Sequence, residues 1–317
     1  MSEKGVRFGQ TGMRVSPLTL GTWGIGGSGW DAYADEVRVD AIRAAVECGI
    51  NLIDTAPAYN AGEAERYIGR ALEQTGLREK VRIVTKCGNR FINGQYIRNG
   101  RAENIFEECE ESLKNLKTDH IDVMLVHWPD PNIPLSETFG ALKELKEQGK
   151  ILHIGASNFT KEQILEAGRT VRFEVLQLQY SMVNRDNEEL LKWAHAEGIG
   201  TMAYGALAGG LLTGRYRSVQ NYEAGDNRNR FYGRFFSEPN FTKIMRLLEV
   251  MQPIADGHGA SLAETALNWI RRKDFVDTCI AGAQKRERVE GNAKCLQWEL
   301  TAAEQRQLDD AVGTVLQ

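Results

Sequence analysis

The chain alternates eight times between a short apolar run and a longer amphipathic segment, and this alternation limits the fold more than any other feature. The apolar runs cover residues 18–20, 51–53, 82–85, 121–126, 151–155, 175–178, 200–203 and 278–280. Such alternation is typical of βαβ units around a parallel sheet. Eight units can close a (β/α)₈ barrel, and one barrel can accommodate 317 residues. We therefore predict a single TIM-barrel domain over residues 1–317.

An open, doubly wound sheet is the alternative architecture, and it requires a Gly-rich phosphate loop that opens a helix after its first strand. Residues 24–29 read G-I-G-G-S-G, but the residues up to Ala34 lack the periodicity of the helix that should follow. Helical periodicity is clear elsewhere, for example at Ile105, Cys109 and Leu116, which share one helix face. The closed barrel is therefore the preferred prediction.

Two segments lie outside the eightfold pattern. Residues 6–15, with Gly9 and Gly12 near the centre, indicate a β-hairpin that could plug the bottom of the barrel. Residues 207–239, between the seventh and eighth apolar runs, are too long for an ordinary connection. We expect this long loop after strand seven to act as a lid.

Composition excludes several classes of function. The 39 basic and 43 acidic residues are scattered and give a net charge of −4, so no basic stripe is present for a nucleic-acid backbone. No apolar run reaches the roughly 20 residues of a membrane span, and the first residues do not resemble a signal peptide, so we expect a cytoplasmic protein. The five cysteines are odd in number and widely spaced, which favours reduced thiols over disulfides or a metal site.

Polar residues follow the predicted strands at the end where barrel loops surround a shared mouth. They are Asp54, Lys86, His127, Ser157, Asn158, Gln179 and Tyr204. Singly, Asp54 could cap a turn, Lys86 could be a solvated strand end and His127 could be a core histidine. On three successive strands, however, they would meet in one partly buried space, where unpaired charge is costly. Together they predict a catalytic site.

Tyr59, five residues after Asp54, adds a phenol to this predicted site. A phenol is a weak acid near neutral pH, and a neighbouring ammonium favours its ionised form. We therefore expect Lys86 to lower the pKa of Tyr59 so that the phenol can donate a proton. Asp54 would hold Lys86 charged, and His127 would orient a carbonyl oxygen.

Residues 51–59, N-L-I-D-T-A-P-A-Y, with Gly62 and Glu65, begin an ordered set of motifs that extends over nearly the whole chain. The set continues at residues 84–86 (VTK), 121–130 (IDVMLVHWPD), 155–159 (GASNF), 178–181 (LQYS), 209–214 (GGLLTG) and 280–283 (IAGA). With these motifs the chain resembles the aldo-keto reductases. The resemblance implies hydride transfer from nicotinamide C4 to an aldehyde or ketone, with Tyr59 as general acid in a tetrad of Asp54, Tyr59, Lys86 and His127.

The resemblance also implies an extended nicotinamide cofactor across the barrel mouth, bound without a Rossmann fold. Its carboxamide would contact Ser157, Asn158 and Gln179, and its ring would stack on Tyr204. The pyrophosphate would lie under residues 205–214 and the adenosine phosphate near residues 282–292. The complete set of implied cofactor residues is Gly21, Thr22, Trp23, Asp54, Ser157, Asn158, Gln179, Tyr204, Gly205, Leu207, Gly209, Leu211, Gly214, Gly282, Gln284, Lys285, Arg288 and Asn292.

Lys285, Arg286 and Arg288 follow the eighth run at a helix start, where they could receive a 2′-phosphate or could form an exposed basic helix end. We therefore expect NADPH to be favoured over NADH. The chain departs from many members of the resembled family in its phosphate loop, at Gln284, and at Gly291, where an acidic residue often contacts adenine. Use of NADH consequently stays open.

The substrate is a small molecule, and we expect it to contact Trp23, Trp30, Tyr59, His127 and Trp128. Arginines of the insertion could clamp an anion or could be a solvated lid surface: Arg215, Arg217, Arg228, Arg230 and Arg234. A carbonyl reductase is the first hypothesis, and a sugar or polyol dehydrogenase on the same site is the second. A cofactor-sensing regulatory subunit is a third, disfavoured because no extension precedes the hairpin. Homo-oligomers are possible. The substrate is selected by loops that contain no motif, at residues 23–34, 89–99, 128–134 and 207–239.

Overall fold

The computed structural model describes residues 5–27, 31–93, 95–220, 222 and 226–315. Its strands are β1 (Val6–Arg7), β2 (Arg14–Val15), β3 (Leu18–Gly21), β4 (Leu52–Asp54), β5 (Arg82–Cys87), β6 (Asn89–Ile92), β7 (Gln95–Arg98), β8 (Ile121–Val126), β9 (Ile151–Ser157), β10 (Val175–Gln179), β11 (Gly200–Tyr204) and β12 (Thr278–Gly282). The strands β3, β4, β5 and β8 to β12 are parallel neighbours in chain order and form a closed barrel. Closure occurs where β12 pairs with β3, with Gly282 opposite Gly21. The predicted TIM barrel is confirmed.

Helices cover the outside of the barrel. They are α1 (Trp23–Gly26), α2 (Asp35–Glu47), α3 (Glu63–Thr75), α4 (Ala102–Leu116), α5 (Leu135–Glu147), α6 (Lys161–Ala167), α7 (Glu188–Ala196), α8 (Asn227–Tyr232), α9 (Asn240–Gly257), α10 (Leu262–Arg271), α11 (Arg286–Ala293) and α12 (Ala302–Val315). In α4, Ile105, Cys109 and Leu116 are buried at helical spacing, as predicted. Helix α10 begins with a capping box, in which Ser261 and Glu264 satisfy each other's backbone N–H.

The hairpin β1–β2 closes the bottom of the barrel, as predicted. Phe8 and Val15 pack against the inward side chains of the barrel, which are Leu52, Val84, Val123, Leu125, Val175, Met202 and Ile280. The backbone N–H of Gly9 donates to Asp277 Oδ2 at 3.0 Å. A Cβ on Gly9, which has a φ of +49°, would lie 2.3 Å from the Gly200 nitrogen, so this close approach requires glycine.

Two additional segments lie at the opposite end of the barrel, one after β5 and one after β11. The predicted insertion is folded, with 3₁₀ turns over Ala208–Thr213 and Gly233–Phe235 and the helix α8 between them. The hairpin β6–β7 pairs Asn89 with Arg98. The sequence predicts only loops in both segments, because neither follows the barrel repeat. The hairpin β6–β7 and the helix α8 differ from that prediction.

The glycines after β3 do not open the long helix of a dinucleotide fold. Gly24 and Gly26 lie in the single turn of α1, and Gly27 follows its last residue. The next helix in the described chain begins at Asp35. Within the residues that the structure describes, no helix combines the length and hydrophobicity needed to cross a bilayer.

Candidate active site

The carboxyl ends of the barrel strands surround a cavity of about 700 Å³. Asp54 is the last residue of β4, Lys86 lies in β5, His127 directly follows β8 and Ser157 ends β9. Because these strands are parallel neighbours, their ends meet at one rim. Asp54, His127, Ser157 and Tyr59 line the cavity. The fold therefore brings the predicted chemical groups together.

Lys86 is fully buried, and its ammonium is surrounded by oxygen atoms. Its Nζ donates to both carboxylate oxygens of Asp54 at 2.9 Å, to the Thr55 carbonyl at 2.8 Å and to the Tyr59 oxygen at 3.2 Å. Gln177 Nε2 donates to Asp54 Oδ2 at 2.6 Å. Burial lowers the pKa of Lys86, and Asp54 acts in the opposite direction. Contact with both carboxylate oxygens keeps the ammonium charged.

The pKa of Tyr59 shifts in the direction opposite to our expectation. Burial raises the pKa of Tyr59 well above its ordinary value, and the negative charge of Asp54 raises it further. Asp54 offsets the charge of Lys86, so the phenol lies beside an ion pair rather than an isolated ammonium. Tyr59 therefore keeps its proton at neutral pH. Because it accepts a hydrogen bond from Lys86, its own O–H can donate into the cavity.

His127 is a neutral imidazole. Burial lowers the pKa of His127 well below its ordinary value, and the positive charge of Lys86 acts in the same direction. Among the described residues, nothing hydrogen-bonds to its buried Nδ1. The tautomer with the proton on Nε2 is therefore favoured, because it buries no unpaired N–H. The imidazole stands edge-on to the Tyr59 ring, with the centroids 6.0 Å apart.

A turn of left-handed residues holds Tyr59 in place. Residues 60–62 have φ angles of 54°, 50° and 80°. Asn60 Nδ2 donates to the Gly26 carbonyl at 2.8 Å, and a Cβ on Gly26 would lie 2.9 Å from the Tyr59 carbonyl oxygen. The α1 turn thus packs directly on this loop, and the Trp23 ring stacks on Tyr59 at 6.2 Å between centroids.

Ser157, Asn158 and Tyr204 form a hydrogen-bonded part of the cavity wall. Asn158, with a φ of 63°, donates from Nδ2 to the His127 carbonyl and to Ser157 Oγ, both at 3.0 Å. Its Oδ1 accepts from the Tyr204 hydroxyl at 2.8 Å. This network fixes the orientation of the Tyr204 ring at the mouth.

A second glutamine of β10, Gln177, lines the cavity, and the sequence analysis did not name it. The contact of Gln179 with a carboxamide stays a prediction. Gln177 pairs in register with Ser157 on β9. Gln179 lies two residues further along β10, and a Cβ on Gly205 would lie 3.2 Å from its Cγ, so its side chain packs under that loop. Both glutamines share one face of the strand, and this period could have indicated Gln177 from the sequence.

Most of the predicted cofactor residues line the cavity: Gly21, Trp23, Asp54, Ser157, Asn158, Tyr204, Gly205, Leu207, Gly209, Gly282, Gln284, Arg288 and Asn292. Five others, all within the described chain, lie outside its wall: Thr22, Gln179, Leu211, Gly214 and Lys285. Thr22 Oγ1 donates to the Asp54 carbonyl at 2.8 Å beneath the rim, and Leu211 is in the core. Gly214 ends the first 3₁₀ turn, and Lys285 precedes α11. These residues support the loops that line the cavity.

The basic residues of α11 have different environments. Arg286 donates to both carboxylate oxygens of Asp40 at 2.8 Å and to Glu47 at 2.6 Å. It therefore ties α11 to α2, contrary to its expected contact with a phosphate. Arg288 lines the cavity, together with Glu287.

Aromatic side chains form another part of the wall. Trp23 and Trp128 line the cavity, whereas the predicted Trp30 lies outside the described residues. Sequence reasoning missed Tyr96 on β7 and Phe231 on α8, which also line it. Phe231 meets Trp23 edge-on at 4.9 Å between centroids. Both residues lie in segments that the sequence analysis assigns to substrate selection, 89–99 and 207–239. Neither segment has a periodic pattern that would indicate which side chains face the cavity.

Cysteines and metal-ligand side chains are the other groups that could carry chemistry. Within the described ranges, no three His, Cys, Asp or Glu residues are grouped to hold a metal ion. All five cysteines are free thiols. Burial raises the pKa of Cys87 well above its ordinary value, so its position next to Lys86 does not activate it.

A closed barrel that holds a buried lysine–aspartate pair, a tyrosine and a histidine at one cavity has the architecture of a TIM-barrel enzyme. The sequence profile of the Aldo/keto reductase family matches residues 17–312, and the chain belongs to this family. It is thus an NAD(P)H-dependent oxidoreductase of the kind that reduces carbonyl compounds.

Similar proteins support this assignment. Aldo-keto reductase YhdN of Bacillus subtilis (strain 168) is 36% identical over 301 residues, covering 94% of this chain and 90% of that protein. The NADH-specific methylglyoxal reductase of Escherichia coli (strain K12) is 35% identical over 318 residues, covering 95% and 96%. The solved structure of the glycerol dehydrogenase AKR11B4 from Gluconobacter oxydans matches with a TM-score of 0.89 and 32% identity, covering 99% of this chain and 96% of that one.

Proposed function

We propose that the protein reduces aldehydes or ketones to alcohols with Tyr59 as the general acid. The observation that carries this proposal is the 3.2 Å contact from Lys86 Nζ to the Tyr59 oxygen at a cavity large enough for ligands. This contact leaves the phenol proton for the substrate. It also puts an ammonium next to the oxygen that becomes negative when the proton leaves.

The raised pKa of Tyr59 suits this role, because the acid must hold its proton until a strong base forms beside it. An alkoxide is such a base. As Tyr59 releases the proton, the ammonium of Lys86, 3.2 Å from the oxygen, stabilises the phenolate. Asp54 acts as a positioning residue for Lys86. His127 donates from Nε2 to the carbonyl oxygen and orients it.

The cavity wall suits a nicotinamide cofactor, which would supply the hydride for the carbonyl carbon. Ser157 and Asn158 would hold the carboxamide, and Tyr204 would support the ring. Gly205 and Gly209, with φ angles of 73° and 67°, line the cavity, and their backbone N–H groups would bind the pyrophosphate. A Cβ on Gly209 would lie 2.9 Å from the Tyr232 ring, so this backbone fits closely under α8.

We propose NADPH as the preferred cofactor, with NADH also accepted. Arg288 lines the adenosine end of the cavity, where its guanidinium suits a 2′-phosphate. Glu287 lines the same end, and its carboxylate could accept hydrogen bonds from the ribose of NADH. Because Arg286 is bound to Asp40, only Arg288 of the two arginines contributes to this preference.

Cofactor preference is tested by titrating the protein with NADPH and NADH and following tryptophan fluorescence. Loss of one charge-assisted hydrogen bond in Arg288→Gln should raise the Kd for NADPH about tenfold or more. The Kd for NADH should stay nearly constant. An equal change for both cofactors would contradict the role of Arg288.

The proposed reaction is tested by mixing the protein with each cofactor and a panel of aldehydes and ketones, and following nicotinamide absorbance. Tyr59→Phe should lower kcat by about 10² to 10⁴, the range for loss of a general acid. Tyr67→Phe is the matched control, because the Tyr67 hydroxyl donates to Asp35 at 2.7 Å and does not line the cavity. Turnover by Tyr59→Phe equal to that of the control would overturn the assignment of Tyr59.

Oxidation of a polyol by the same residues is the second candidate, since one of the similar solved structures is a glycerol dehydrogenase. In that direction Tyr59 would accept the proton of the alcohol. Initial rates of glycerol oxidation and methylglyoxal reduction, measured at one pH with both cofactors, separate the candidates. A larger kcat/KM for glycerol would favour the dehydrogenase.

A further inference from the structure

Two arginines outside the barrel repeat line the cavity beside its aromatic wall. Arg98 ends β7, and its Cζ lies 5.2 Å from the centre of the Trp128 ring. Arg230 lies on α8, and its Cζ is 4.6 Å from the centre of the Tyr96 ring and 5.5 Å from that of Phe231. A guanidinium stacked on a ring keeps the N–H groups at its edge available for a ligand. Both side chains are exposed at the cavity mouth.

Neither of these two guanidinium groups has a carboxylate partner within the part of the chain that the structure describes. Arg98 donates from Nη1 to the Pro129 carbonyl at 3.3 Å. Arg228, on the same helix as Arg230, differs because it is paired with Asp226 at 2.7 Å. A cation without an acidic partner, next to a pocket for small molecules, is an attractive site for an anionic group.

The acidic side chains that line the cavity do not cancel this charge. Asp54 is neutralised by Lys86. Asp31 lies 4.0 Å from Arg228, which also pairs with Asp226, so three arginines oppose these two carboxylates near α8. Glu287 lies on α11, next to Arg288. The end of the cavity next to β7 and α8 is therefore positively charged.

This positive end is connected to the reacting groups through aromatic side chains. Arg230 packs on Phe231, which meets Trp23 edge-on at 4.9 Å, and Trp23 stacks on Tyr59. Trp128, under Arg98, directly follows His127. The arginines and the phenol therefore belong to one continuous wall of aromatic side chains. A carbonyl at Tyr59 and an anionic group at Arg98 and Arg230 would belong to the two ends of one short molecule.

We propose that the preferred substrates are short aldehydes or ketones that carry an anionic group, either a carboxylate or a phosphate, bound by Arg98 and Arg230. The inference rests on the proposed carbonyl reduction at Tyr59 and deepens it. Arg98 and Arg230 determine specificity, while Tyr59 donates the proton whether or not the substrate is charged.

The test uses matched pairs of substrates that differ in one charge. Succinic semialdehyde and its methyl ester form the carboxylate pair, and glyceraldehyde 3-phosphate and glyceraldehyde form the phosphate pair. In the wild type, at least one anionic compound should exceed its neutral partner in kcat/KM by about tenfold, the effect of one charge-assisted hydrogen bond. The pair with the larger ratio identifies the anionic group.

Variants connect this ratio to the arginines. Arg98→Gln combined with Arg230→Gln should bring the ratio close to one, because kcat/KM should fall about tenfold more for the anionic compound than for its neutral partner. Arg230→Lys, which keeps the charge but not the planar fork, should have an intermediate ratio. Arg169→Gln removes an exposed arginine outside the cavity wall and should leave the ratio unchanged.

Equal kcat/KM values within both pairs in the wild type, or a ratio that the double variant does not change, would overturn the inference and leave carbonyl reduction intact. If none of the four compounds were turned over, the proposed reaction itself would fail for this substrate range. Calorimetric titrations with succinate and with glycerol 3-phosphate, neither of which has an aldehyde or ketone to reduce, then still decide the anion site. Binding of either compound by the wild type that is lost in the double variant supports the site, and absence of binding of both compounds to the wild type refutes it.

Discussion

Asparagine at position 54 would remove the negative partner of a fully buried ammonium with almost no change in side-chain size. Lys86 would keep the Thr55 carbonyl and the Tyr59 oxygen as acceptors but would lose both carboxylate contacts. Breaking a buried ion pair on one side costs about 3–5 kcal/mol. We therefore expect Asp54→Asn to lose about 3 kcal/mol of unfolding free energy at neutral pH. Catalysis should fall by about 10² or more, because a neutral amine cannot stabilise a phenolate.

The sign of the Lys86 shift determines how this loss depends on pH. Burial already lowers the pKa of Lys86, and removal of the carboxylate takes away the interaction that opposes this shift. Between the folded pKa and the unfolded pKa of about 10.4, the unfolded chain binds more protons, so stability rises with pH by about 1.4 kcal/mol per unit. The deficit of Asp54→Asn relative to the wild type should therefore be largest at neutral pH and should shrink at alkaline pH.

Urea unfolding followed by circular dichroism at about pH 7 and about pH 9.5 measures this dependence. Asp122→Asn is the matched control, because Asp122 is equally buried and pairs with Arg78 at 2.9 Å and Arg82 at 3.5 Å, away from the cavity wall. Arginine stays charged in this range, so the control should have the same deficit at both values. A deficit of Asp54→Asn that stays constant or grows toward alkaline pH would refute the reasoning.

Three further outcomes test other parts of the structure. Gly26→Ala should lower kcat, because its Cβ would lie 2.9 Å from the Tyr59 carbonyl oxygen and would push that loop away. The control Gly140→Ala has no atom within 4 Å of the new Cβ and should raise the free energy of unfolding by about 0.5–1 kcal/mol. Burial raises the pKa of Glu108 to about 7, so its contribution to stability is present at low pH and is lost as the pH rises through that value. The melting temperature of Glu108→Gln, measured at several pH values, should lack this decline in stability. A thiol reagent should label the native protein only at the half-buried Cys48, and Cys48→Ser should abolish the labelling; reaction at the buried cysteines would contradict this.

The architecture was predictable because its signal repeats along the chain. Each barrel strand contributes a short apolar run, and the residue at its carboxyl end faces the mouth, so Asp54, Lys86 and His127 could be assigned to one site before any contact was known. The plug was predictable for a similar reason, since turn residues such as Gly9 stand between two short β segments. These are local properties, readable over a few consecutive residues.

Other features depend on distances between segments far apart in the chain. Gln177 donates a 2.6 Å hydrogen bond to Asp54, and the two residues are 123 positions apart in the chain. Arg286 is bound to Asp40 on another helix, which its neighbours in sequence do not indicate. Tyr96 lies on the hairpin β6–β7, which is outside the strand–helix repeat. No repeating pattern in that segment indicates which side chains line the cavity.

The protonation of Tyr59 most clearly separates what the sequence determines from what the tertiary structure decides. The residue types by themselves determined that a phenol, an ammonium and a carboxylate would share one site. Only the tertiary structure decided that Asp54 lies 2.9 Å from Lys86 and offsets its charge, so that burial raises the pKa of Tyr59 instead of the ammonium lowering it. Electrostatic energy depends on separation and burial, and neither quantity is present in the order of residues.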